Sequence, residues 1–113
     1  MEYISSFTFE NCTILTNINI PPTVKSIWTS AFEGCTGLTS LTIPSSVIKL
    51  GHLLFRDCTN LQSVTFENPN DWYTDPHDGI ESFIKKVDFS NPSSNANRLK
   101  NDSWTKYFRK TDT

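Results

Sequence analysis

"FEGCTGLTSLTIPSSV", Phe32 to Val47, is written three times in this chain with changes of detail. Twenty-three places earlier stands "FENCTILTNINIPPTV" from Phe9 to Val24, and the same distance later stands "FRDCTNLQSVTF" from Phe55 to Phe66. The interval of 23 links Phe9, Phe32 and Phe55, then Cys12, Cys35 and Cys58, then Leu15, Leu38 and Leu61. It also joins Ile18, Leu41 and Val64, then Ile20, Ile43 and Phe66, and it pairs Val24 with Val47 and Ile27 with Leu50. These columns are apolar or thiol, while the positions between them are mostly Ser, Thr, Asn, Lys or Glu, the pattern of a coil with one buried edge. A single coil of that kind cannot close its own core and has to stack on a neighbour.

Within one unit, "LTSLTI" (Leu38 to Ile43) reads as an approach turn and a short strand that Pro44 ends, with Leu41 and Ile43 inward around Thr42. Parallel strands from successive coils would stack the columns about 4.8 Å apart. The opposite, concave face then carries Asn17, Ser40 and Ser63 in one column, Asn19, Thr42 and Thr65 in the next, and Glu67 at its end. The second half of each unit, "SSVIKLGHLLF" and its relatives, fits either a short strand or a tight helical turn.

With 113 residues and 36% hydrophobic content the chain has room for one core, burying roughly two thirds of its unfolded surface. The net charge of −2 and the scattered Lys and Arg argue against a nucleic-acid surface. No apolar run is long enough for a membrane span, and "MEYISSFTF" lacks the form of a signal peptide.

The pattern F-x-x-C-x-x-L-x-x-[ILV]-x-[IF], usually followed by P-x-x-V-x-x-[IL], resembles the BspA-like leucine-rich repeats of surface proteins from bacteria and some parasitic protists. It covers about residues 4–66. "FENPNDW", "DFSNPSSNANRL" and "TKYFRK" are similar to the closing segment that follows such repeats, with Phe108 where a Trp would be expected. The resemblance implies a leucine-rich-repeat-like right-handed solenoid, strand-dominated α/β, of about three 23-residue coils with a parallel sheet. It is expected to occupy residues 1–67, with residues 68–113 as a C-terminal cap containing a short helix. Asn91 or Ser90 can cap that helix with Pro92 in its first turn. Trp72, Phe83, Ile84, Phe89, Leu99, Trp104, Tyr107 and Phe108 are available to cover the last apolar column.

"ISSFTF" from Ile4 aligns with the second half of a unit, so the chain is expected to be the C-terminal part of a longer protein. Its uncapped first coil, near Ile18 and Ile20, would invite homodimerisation.

The cysteine spacing matches no metal-ligand pattern, and its register makes the thiols an inward, inert column. Asp71, Asp75, His77 and Asp78 gather in "DWYTDPHDG", but the order fails that of a calcium loop and reads as a solvated turn. His52 has no acidic or nucleophilic partner in its own coil. Weak glycosylation sequons stand at Asn11 and Asn101. The tail "WTKYFRK" could stack on bases or sit at a membrane interface, but covering the last coil already accounts for it.

The expected function is non-enzymatic: a protein-binding or adhesion module, extracellular or at the cell surface as the resemblance implies. Its partner would be a protein or glycoprotein, with no nucleic acid, membrane insertion, metal or cofactor. Asn17, Asn19, Ser40, Thr42, Ser63, Thr65 and Glu67 are the candidate contact residues. The competing reading is a structural terminal cap without a ligand of its own.

Overall fold

A computed structural model of the chain describes residues 2–75, 84–101 and 105–110. In the repeats, the spacing of three between Phe, Cys and Leu is built from consecutive tight turns. The Cys12, Cys35 and Cys58 N–H groups donate to Phe9, Phe32 and Phe55 C=O, and the Leu15, Leu38 and Leu61 N–H groups donate to those cysteines, all within 3.2 Å. At about three residues per turn the Phe, Cys and Leu side chains fall on one side, which is the buried side.

Neighbouring repeats are joined by a hydrogen-bond ladder that itself recurs after 23 residues. Phe7, Phe9 and Asn11 N–H donate to Thr29, Ala31 and Glu33 C=O, and Ser30, Phe32 and Gly34 N–H donate to His52, Leu54 and Arg56 C=O. The register stacks Phe9 on Phe32 and Phe32 on Phe55, with ring centroids 5.5 and 5.6 Å apart and planes within 5°. Cys35 Sγ–H donates to Phe9 C=O and Cys58 Sγ–H to Phe32 C=O, each at 3.0 Å.

Two columns of left-handed backbone also follow the interval: Phe7 (φ 64), Ser30 (φ 59) and Leu53 (φ 61), then Asn11 (φ 59), Gly34 (φ 77) and Asp57 (φ 63). Asn, Gly and Asp suit that conformation, and at Gly34 a Cβ would also strike the Asn11 side-chain amide. Phe7 does not suit it, and its ring is largely exposed. Phe7→Gly should therefore be more stable than Phe7→Ala by about 1 kcal/mol, since both lose the ring and only glycine escapes the Cβ clash. Paired urea unfolding curves check this.

The strands form two sheets. The first is a parallel pair, β3 (Ser40–Ile43) and β5 (Ser63–Phe66), in the register Leu41 to Val64 and Thr42 to Thr65. The second contains β1 (Tyr3–Ile4), β2 (Ser26–Ile27) and β4 (Lys49–Leu50), parallel at the same 23-residue register, so the second half of each unit is a short strand. It continues through β8 (Lys106–Arg109), β6 (Trp72–Asp75) and β7 (Lys86–Val87), all three antiparallel to their neighbours. The expected parallel sheet is thus one parallel pair plus a mixed six-stranded sheet.

The strand expected near Ile18 and Ile20 is absent. Where Glu67 N–H donates to Ile43 C=O at 3.0 Å, the residue one repeat earlier is Pro44, which has no N–H to offer Ile20.

The helix α1 (Pro92–Asn101) starts at Asn91, whose Oδ1 accepts from Ser93 and Ser94 N–H at 3.1 Å. Asn91 is therefore the cap, while Ser90 N–H donates to Asp88. Trp72, Phe89, Leu99 and Tyr107 are buried against the repeats. Ile84 is half-buried, and so is Phe108, which faces outward on the six-stranded sheet rather than covering the last column. Phe83 and Trp104 lie outside the described residues.

Candidate functional site: a polar groove over the parallel pair

In β3 and β5 the side chains alternate cleanly: Leu41, Ile43, Val64 and Phe66 are buried, while Ser40, Thr42 and Thr65 are exposed and Ser63 is half-buried. Asn17 and Asn19 continue these columns on the preceding extended segment, which is tied to β3 by Thr39 N–H to Thr16 C=O at 3.4 Å. All seven expected contact residues, Glu67 included, line one open groove of about 560 Å³.

Sequence reasoning did not anticipate that Ile18, Ile20, Leu41 and Pro44 also reach this groove. Ile18, Ile20 and Leu41 occupy inward columns, and Pro44 stands one repeat before Glu67. Ile18 is half-buried because the first repeat has a neighbour on one side only.

Chemically the groove is a wall of hydroxyls and amides, each able to donate and accept. Glu67 is its one ionisable lining residue among those described, and its carboxylate already accepts from Ser45 N–H at 2.9 Å. Nothing in the lining pairs a nucleophile with a base. His52 offers its backbone carbonyl to Ser30 and does not reach the groove. A second, more apolar hollow of about 310 Å³ opens beside Tyr3, Ile4, Phe9, Ile18 and Ile20 on the first repeat.

The acidic stretch does not assemble. Asp71 precedes β6 and Asp75 ends it, so the extended chain separates them by about 13 Å, while His77 and Asp78 lie outside the described residues. Among the described residues no group of three or more His, Cys, Asp or Glu could hold a metal ion.

The three thiols are free. Burial pushes Cys35 up, and it pushes Cys58 up to about 12 from 9.0. A raised folded pKa means that the protonated thiol favours the fold. The contribution is complete below the unfolded value near 9.0 and is lost as pH rises through about 12. At about pH 8 a thiol reagent should label Cys12, which is half-buried, and reach Cys35 and Cys58 only after denaturation. Mass mapping of the labelled peptides checks that order.

The family described as BspA type leucine rich repeat region (6 copies) matches residues 1–75, about two thirds of the chain. The protein therefore belongs to the BspA type leucine rich repeat family. No curated protein and no solved structure matches the chain.

Proposed function

We propose that this protein is a non-enzymatic binding module whose repeats form a right-handed solenoid over residues 1–67. Residues 68–113 close its end, and Asn17, Asn19, Ser40, Thr42, Ser63, Thr65 and Glu67 contact a protein or glycoprotein partner. One observation carries this: seven polar side chains from three repeats, six of them uncharged, line a single groove, on a framework of buried ladders that fixes their spacing. Repeat architectures use rigid, evenly spaced surfaces of this kind to hold macromolecules. Membership of a repeat family that is often surface-associated supports an extracellular or cell-surface setting. Among the described residues no helix is long and apolar enough to cross a membrane.

A structural terminator is the second reading. It is favoured by β8 lying along β4 and α1 packing on β5, the last repeat strands of the two sheets. Interferometry against immobilised matrix glycoproteins separates the two. Binding that Thr42→Arg, Thr65→Arg abolishes supports the groove, whereas a folded protein that binds none of them supports the terminator.

A further inference from the structure

The outer face of the six-stranded sheet carries a pattern that the groove does not use. Ladder register places Tyr3, Ser26, Lys49, Phe108, Tyr73 and Lys86 side by side, one from each strand, across the whole sheet. Their sequence neighbours Ile4, Ile27, Leu50, Tyr107, Trp72 and Val87 are buried, so this row faces outward. Phe108 stacks on Tyr73 with centroids 5.8 Å apart, and Lys110 Nζ sits 4.5 Å from the centre of the Tyr73 ring. Lys106 lies two residues before Phe108 on the same side, opposite Asp75. Trp28, the residue after β2, adds an exposed ring.

Lys49, Lys86, Lys106 and Lys110 thus gather on one face of a chain whose net charge is −2, with Asp75 across from Lys106, Asp71 across from Lys110 and Asp88 two residues after Lys86. From Lys49 to Lys86 the row spans three strand intervals, about 14 Å.

We infer that this face binds an acidic polysaccharide. Its two kinds of side chain match the two halves of such a polymer: lysine ammonium groups meet carboxylates or sulfates, and the aromatic rings receive the apolar faces of the sugars. The surface is the face of a sheet rather than its edge, which suits a chain of repeated charges over a peptide that must add to a sheet edge or fill a groove. The rings are interspersed with lysines instead of forming one apolar patch, which disfavours burial in a lipid interface. The inference stands apart from the groove and extends beyond it.

The test is interferometry of the full chain on an immobilised heparin decasaccharide, with neutral dextran, poly-glutamate and phosphatidylserine vesicles alongside. Binding to heparin and not dextran is expected, weakening as salt rises from about 50 to about 200 mM. Lys49→Glu, Lys86→Glu should weaken it by about tenfold or more, since both side chains are exposed and both charges reverse. Lys106→Gln, Lys110→Gln is a milder second variant, expected to weaken binding in the same direction, and circular dichroism confirms that each variant folds. The groove variant Thr42→Arg, Thr65→Arg keeps every lysine and should retain heparin binding whether or not it loses a protein partner. The inference is overturned by absence of heparin binding, by binding that folded lysine variants leave unchanged, or by equal or tighter binding to poly-glutamate or the vesicles.

Discussion

Phe32→Ala should lower the free energy of unfolding by about 3–5 kcal/mol, the range for removing a large buried aromatic. Phe32 has no exposed surface, and its ring lies between those of Phe9 and Phe55. Truncation removes both stacking contacts and leaves a gap in the middle of the column, where the neighbours are held by backbone ladders and cannot close in. Against a total stability of about 5–15 kcal/mol the loss is large, a fall of about 10–20 °C in Tm. Phe9→Ala should cost less, because Phe9 has a ring neighbour on one side and is only half-buried. Calorimetry on the two variants reads both effects, and equal losses would mean that the column is not stacked as described.

Asn95→Asp is the second large effect, about 3–5 kcal/mol at neutral pH. Asn95 is 1% exposed, and its side-chain Nδ2 donates to Val64 C=O at 2.8 Å and to Phe89 C=O at 2.7 Å. Val64 belongs to the last strand of the parallel pair, so this one amide satisfies an edge carbonyl that no further repeat strand covers. A carboxylate would set a buried negative charge against two carbonyl oxygens. Such a carboxyl has its folded pKa raised, so its protonated form is the one the fold tolerates. Stability should partly recover as pH falls from about 7 to about 4, where protonation restores one donor. Asn95→Leu keeps the branching and the number of side-chain heavy atoms but is bulkier and leaves both carbonyls unmet, for a loss of about 2 kcal/mol or more with no such pH dependence. Urea titrations at the two pH values distinguish the cases.

The Phe, Cys and Leu columns were legible in the sequence because a buried ladder tolerates few residue types, so the period shows directly. The same period exposed the polar columns that meet in the groove. The left-handed column Asn11, Gly34 and Asp57 carried a readable signal in its residue types, whereas Phe7, Ser30 and Leu53 gave none. The missing strand near Ile18 and Ile20 goes with one bond that Pro44 cannot make, visible only once the register with Glu67 is known. Least legible was the return of β8 along β4. Nothing local in "TKYFRK" names its partner strand, and with that pairing hidden, so was the outward row of lysines and rings.

Everything proposed for the groove rests on the strand register, because a slip of one residue would turn Thr42 and Thr65 into the core and Leu41 out of it. Inter-strand nuclear Overhauser contacts in the isotope-labelled protein measure that register directly. The expected result is backbone contacts pairing Leu41 with Val64 and Thr42 with Thr65, together with antiparallel contacts between Leu50 and Tyr107. Contacts displaced by one residue, or a tail with no contacts to Leu50, would contradict the account.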